Sequence, residues 1–295
     1  MMASNAASKS QSTLTTQSVL SPELFERFAA LVHQISGISL GPQKILMLQS
    51  RLQKRLRATG VPGFEEYYKF LEGSGSAETV AFINAVTTNK TGFYRESHHF
   101  EILGDIVAEL RRLPAGLEKN GQRREIHAWS AGCSSGEEAY TMAMTLDALL
   151  DPEQETYRIW ATDIDTAVLD AARNAIYPQS DIAALPEQWQ FRYFLRGIQK
   201  YSGHFRVVPE LRERVVFQHL NFMDSKYNVP DDVDVIFCRN VMIYFSTETK
   251  ARLVQRFCRH LRPGGFLFIG HSESLTGVQS PLISVAQTVY RKPLA

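Results

Sequence analysis

The chain has 295 residues, 44% hydrophobic and 21% charged, and its 32 basic and 31 acidic residues leave a net charge of +1. That composition suits one large globular domain or a large one with a small one, and it gives no global reason to expect nucleic acid or an anionic membrane as partner. Cys133, Cys238 and Cys258 are widely spaced without CxxC pairing, and neither a signal-peptide pattern nor a membrane-length apolar run occurs, so we expect a soluble cytoplasmic protein with reduced thiols, no zinc and no other metal.

Residues 1–20 are rich in Ser, Thr, Gln and Ala and read as a disordered tail. Structure is expected to start at "SPELFERFAALVHQISG", where Ser21 suits an N-cap, Pro22 the first helical position and Gly37 a C-cap. "GPQKILMLQSRLQKRLRATG" carries Ile45, Leu48, Leu52 and Leu56 at helical spacing and ends at Gly60; "GFEEYYKFLEGSG" and "SAETVAFINAVTTN" add two more amphipathic helices. Residues 21–90 therefore form a small helical domain. On the second helix Lys44, Arg51, Lys54, Arg55 and Arg57 make a basic stretch without an acid, and Lys44, Arg51 and Arg55 share one face.

Residues 87–96, "TTNKTGFYRE", pack polar and aromatic groups more densely than a solvated turn needs, as a pocket for a charged small molecule would. A connecting segment, 91–122, holds a further helix and ends in the polar, Gly-containing "PAGLEKNGQRRE". From 123 to 295 short apolar strands alternate with amphipathic helices, the pattern of a doubly wound, mostly parallel α/β sheet. Residues 188–218 break that rhythm with aromatic and basic residues around Gly197 and Gly203, and read as a small antiparallel insertion.

In "WSAGCSSGEEAY", Gly132 and Gly136 allow tight turns between a strand and a helix. The third glycine of a dinucleotide fingerprint is missing, and Glu137 and Glu138 would repel a pyrophosphate, which disfavours a dehydrogenase. One strand later Asp163 ends "ATD", where a carboxylate can accept ribose hydroxyls. The pair fits an adenosine ligand without pyrophosphate, such as S-adenosylmethionine; the plainer alternative is that Glu137 and Asp163 cap helices.

Taken in order, "TTNKTGFYRESHHF", "WSAGCSSGEEAYTMAM", "ATDIDTAVL", "FCRNVMIYF" and "LRPGGFLFIGHSESL" resemble the chemotaxis receptor methyltransferase family, CheR, from about residue 21 to the end. The resemblance implies a Rossmann-like class I methyltransferase sheet behind an all-α domain, and an S-adenosylmethionine-dependent enzyme that esterifies glutamates on methyl-accepting chemotaxis receptors, releasing S-adenosylhomocysteine. By motif position it implies cofactor contacts at Asn89, Thr91, Arg95, Glu137, Asp163, Asn221, Phe222, Arg239 and Asn240, and a substrate-side role for Tyr244 with Arg95 as second contact. It further implies receptor docking through the basic stretch at Lys44, Arg51, Lys54 and Arg55, with a receptor C-terminal pentapeptide adding a strand to the insertion in some members. A monomer is the simplest expectation.

Carboxylate methylation needs no general base, since glutamate with a reference pKa of about 4.3 is ionised at neutral pH. His98, His99 and His271 are therefore read as packing or capping residues, and Cys133 as a small buried filler. Two rivals remain at this stage: a methyltransferase with another protein or a small molecule as acceptor, and a cofactor-binding adaptor without catalysis.

Overall fold

The computed structural model describes residues 19–73, 76–111 and 124–294. The expected tail, except for Val19 and Leu20, and most of the polar segment at 114–125 lie outside the described residues. Leu20 is buried, and its N–H donates to Gln49 Oε1 at 3.0 Å, so this residue packs on the helical domain.

Four helices open the described chain: α1 (Pro22–Ser36), α2 (Ile45–Thr59), α3 (Phe64–Gly73) and α4 (Ser76–Val86). Ser21 Oγ accepts from the Leu24 N–H and Gly37 closes α1 in the left-handed region, as the local signals imply. Phe28, Val32, Leu48, Leu52, Tyr67 and Phe82 form the helical core, each fully buried. Burial of each large apolar side chain contributes about 1.5–3 kcal/mol, enough for these short helices to be held by packing rather than by propensity.

Next come α5 (His98–Leu110), β1 (Arg124–Ala131), α6 (Glu137–Leu149), β2 (Glu155–Asp163) and α7 (Thr166–Asn174). They are followed by β3 (Ile176–Pro178), α8 (Gln179–Ile182), α9 (Glu187–Tyr193), β4 (Phe194–Arg196), β5 (His204–Val207) and α10 (Pro209–Arg212). The chain finishes with β6 (Val215–His219), β7 (Val233–Cys238), α11 (Thr247–His260), β8 (Leu261–Ile269), β9 (Ile283–Ala286) and β10 (Val289–Arg291).

Seven strands form one sheet in the order β6-β2-β1-β7-β8-β10-β9, parallel from β6 to β8 and antiparallel at the last two. This is the doubly wound, mostly parallel sheet expected. The strands β3, β5 and β4 form a separate antiparallel sheet. The insertion therefore starts at Ile176, earlier than residue 188, while Val215–His219 belongs to the main sheet.

The helical domain sits on the carboxyl ends of the parallel strands. Asn84 and Thr166 exchange two hydrogen bonds, Asn221 Nδ2 donates to the Ile35 carbonyl at 2.6 Å, and the Ser39 N–H donates to the Tyr244 carbonyl at 2.8 Å. All these strands run parallel, but the order in which they are added reverses between β1 and β7, and such sheets bind ligands at the strands' carboxyl ends beside that switch point.

Candidate functional site

A cavity partly open to solvent lies at that switch point. Four strand ends meet there: Gly132 follows β1, Asp163 ends β2, Leu220 and Asn221 follow β6, and Arg239 and Asn240 follow β7. Residues 87–91 and Arg95, with Ile38 and Tyr244, complete its lining.

The glycine loop is shaped for close approach. Gly132 has φ +92°, and a Cβ there would stand 2.5 Å from Val241 Cγ2; Gly136 has φ +96°, and its Cβ would meet that of Ala172 at 2.9 Å. Both conformations are open mainly to glycine. Asp163 is 8% exposed; its Oδ2 accepts the Ser134 N–H at 2.8 Å and its Oδ1 the Asp165 N–H at 2.9 Å. A carboxylate has about four acceptor positions, so acceptor capacity remains for ligand hydroxyls. Burial raises the Asp163 pKa, against the backbone N–H groups of Asp165, Ser134 and Ile164, and the charge of the neighbouring Asp165 adds to the rise.

Asp165 explains the polar density of residues 87–96. Its Oδ1 caps α7 by accepting the Ala167 N–H at 2.9 Å and the Val168 N–H at 3.3 Å. Its Oδ2 accepts from Thr87 Oγ1 at 2.9 Å and Asn89 Nδ2 at 2.6 Å. Asn89 thus borders the cavity as part of a clamp that ties the loop to the sheet. Arg95 Nη1 donates to the Lys90 carbonyl at 2.6 Å, and the residue lines the cavity.

Glu137 is not brought to the cavity wall. It is buried at the first position of α6, where both carboxylate oxygens accept from Ser135 Oγ. Its neighbour Glu138, one helical step of about 100° away, faces the cavity. Glu138 accepts from Ser130 Oγ at 2.7 Å and lies 3.6 Å from Arg239 Nη1; burial raises its pKa and Arg239 opposes the rise. Arg239 is almost fully buried and also reaches Glu96 Oε2 at 3.2 Å. Asn221 lines the cavity, yet its amide is already bonded to Ile35 and its Oδ1 to the Met223 N–H at 2.9 Å. Phe222 lines the same wall. Tyr244 ends a short 3₁₀ turn, half-buried at the border.

The basic stretch on α2 divides in two. Leu48 and Leu52 set the buried face, so Arg51 and Arg55 lie at its margins and bond within the protein. Arg51 donates to the carbonyls of Val86 and Thr87 and to Thr88 Oγ1, within electrostatic reach of Tyr244. Arg55 forms a two-pronged pair with Glu78 at 3.1 and 2.8 Å, and Glu78 also accepts from Tyr67 Oη. Neither is therefore the solvent-facing cation expected, whereas Lys44, Lys54 and Arg57 are exposed.

None of His98, His99 and His271 lines the cavity. His99 is fully buried, its ring edge-on to Phe268 and its Nε2 2.8 Å from Thr288 Oγ1; burial, and then the charge of Arg239, push its pKa down to about 3. It stays neutral and packs. Cys133 is buried, and burial pushes its thiol pKa up. No helix among the described residues is long and apolar enough to cross a membrane.

The family described as CheR methyltransferase, SAM binding domain, matches residues 89–291, and the one described as CheR methyltransferase, all-alpha domain, matches residues 23–87. Over 278 residues the chain is 42% identical to the chemotaxis protein methyltransferase of Salmonella typhimurium, covering 94% of this chain and 92% of the relative. It is 41% identical over 278 residues to that of Escherichia coli K12, covering 94% and 93%, and 40% identical over 269 residues to chemotaxis protein methyltransferase 2 of Pseudomonas aeruginosa, covering 91% and 92%.

Proposed function

This chain belongs to the CheR methyltransferase family, and we propose that it methylates glutamate side chains of methyl-accepting chemotaxis receptors, forming glutamyl methyl esters. The observation that carries the cofactor half is Asp163: a buried carboxylate at the end of β2, beside the Gly132 loop, with acceptor positions left toward the cavity. The acceptor half is supported by relatives named chemotaxis protein methyltransferase.

When bound, S-adenosylmethionine supplies an electrophilic methyl group on a sulfonium and leaves as S-adenosylhomocysteine. The residues of the chain do the rest by holding and aligning. Asp163 holds the ribose hydroxyls, and the Gly132 turn admits the ligand against the backbone. Arg95 has the fork geometry to pair with the amino-acid carboxylate, and Asn89 and Thr91 close the loop over it. The aromatic and amide wall of Phe222 and Asn221 lies where an adenine would stack. Tyr244, at the open border, donates its hydroxyl to the incoming glutamate carboxylate and keeps it at the in-line attack distance, roughly 3–3.5 Å. No side chain need remove a proton, which agrees with the neutral, buried His99.

We assign receptor docking to Lys44, just before α2, and to Lys54 and Arg57 on it, exposed cations that would face an acidic helical bundle. The small sheet, with exposed Leu195 in β4 and exposed Ile198 and Tyr201 just after it, suits strand addition by a receptor tail. The test is transfer of labelled methyl from S-adenosylmethionine to membranes carrying chemotaxis receptors, followed by mild base. Label that enters receptor protein and leaves as methanol supports the reading; cofactor binding without base-labile label refutes it.

A further inference from the structure

Tyr94 and Glu96 both have left-handed backbones, with φ of 57° and 55°, an uncommon conformation for residues of this size. Two such residues flank Arg95, so something must hold the segment in place. Tyr94 is fixed by its ring, which stacks on Phe100 at 5.4 Å and meets Trp189 edge-on at 5.7 Å. Glu96 is fixed by its carboxylate. Oε2 accepts from Arg239 Nη2 at 3.2 Å and from the His271 N–H at 3.2 Å, and Oε1 accepts from Asn240 Nδ2 at 3.2 Å. His99 Nδ1 lies 3.5 Å from Oε2. The same Arg239 also donates to the backbone carbonyl of Arg95. Thus one carboxylate gathers donors from the segment after β7 and the segment after β8, and pins the residue next to Arg95 to both.

We infer that Glu96 is a positioning residue: it touches no ligand but holds the 89–96 loop so that Arg95 faces the cavity. Two features separate this role from general packing. Glu96 does not line the cavity, while its neighbour Arg95 and two of its partners, Arg239 and Asn240, do. And Arg239, clamped between Glu96 and Glu138, has its positive charge matched by protein acids. Arg95, whose guanidinium donates to the Lys90 carbonyl and feels Glu138 electrostatically, lines the cavity without a direct ion pair among the described residues, and serves as the cation for an anionic ligand group.

The inference rests on the reading of the cavity as the S-adenosylmethionine site. Its test measures S-adenosylhomocysteine affinity by calorimetry, together with kcat and KM for S-adenosylmethionine, in the full chain, Glu96→Gln, Glu96→Ala, Arg95→Ala and the double variant Glu96→Gln/Arg95→Ala. Removal of Glu96 by alanine is expected to weaken affinity and raise KM by about 10- to 100-fold, as misplacement of a contact by about 1 Å does, with kcat at saturation within about twofold. Glutamine, which keeps one acceptor oxygen, should restore part of the loss. The double variant should bind no more than about threefold worse than Arg95→Ala alone, because the two act through one contact. Should Glu96→Ala fail to fold by circular dichroism, Glu96→Gln and the double variant carry the test. Unchanged affinity in Glu96→Gln, additive losses in the double variant, or a fall in kcat matching that in kcat/KM would overturn the inference. Absence of cofactor binding by the unaltered chain would instead refute the cavity reading.

Discussion

Replacing Asp163 by alanine removes the ribose acceptor from the end of β2. In the structure each carboxylate oxygen already holds one backbone N–H, from Ser134 and from Asp165, and the residue lines the cavity, where ligand hydroxyls would take up remaining acceptor positions. Two lost hydrogen bonds to a charged acceptor, at about 1.5–3 kcal/mol each, come to about 3–6 kcal/mol of binding, or roughly 10² to 10⁴ in Kd. The Ser134 and Asp165 amides would also lose their acceptor, at about 1–3 kcal/mol for each that water cannot reach, so the melting temperature should fall by several degrees. Calorimetric titration with S-adenosylhomocysteine reads the first effect and a thermal melt the second. A variant that melts lower but binds with wild-type affinity would show that Asp163 only organises the loop, and the ribose assignment would be withdrawn.

Tyr244→Phe removes one donor to a carboxylate, so kcat should fall by about 10- to 100-fold while calorimetric affinity for the cofactor product stays near wild type; parallel loss of both would mean a structural role. Joint reversal of Lys54 and Arg57 to Glu should raise the KM for receptor by about tenfold at low salt, and the effect should shrink as salt is added. A salt-independent effect would argue against an electrostatic docking face. Because burial raises the Asp163 pKa, the folded protein protonates it at a higher pH than an ordinary aspartate. The two consequences have opposite signs: cofactor affinity falls as pH drops from neutral through that raised pKa, whereas the cost of the buried charge to stability is relieved over the same window. Asp163→Asn should bind weakly and lose this part of the pH dependence, and a pH profile identical to wild type would exclude Asp163 as its source.

Local signals in the sequence carried much of the fold. Ser21, Pro22 and Gly37 bound α1 because caps depend on neighbours a few residues away. Asp163 was legible as a polar group ending an apolar strand, and it lines the cavity at the end of β2. What escaped notice depends on distant partners. Which of Glu137 and Glu138 faces the cavity is set by how α6 packs on β1, and two adjacent acids look alike in sequence. Arg51 and Arg55 share a face with Lys44 on a helical wheel, but the carbonyls of Val86 and Thr87 and the carboxylate of Glu78 capture them. β9 has no alternation of buried and exposed residues, since it lies at the sheet edge, and β3 begins where the helical pattern of α7 still seemed to run. Asp165 is invisible as a clamp until Thr87 and Asn89 are folded against it.

The central claim is that this cavity directs a methyl group onto receptor glutamate. Tandem mass spectrometry of receptor peptides, after incubation of receptor membranes with the protein and S-adenosylmethionine, tests it most directly. The account predicts methyl esters on glutamate side chains, absent when Asp163→Ala replaces the wild-type chain. Methylation confined to lysine, arginine or a small molecule, or esters that persist undiminished with that variant, would contradict it.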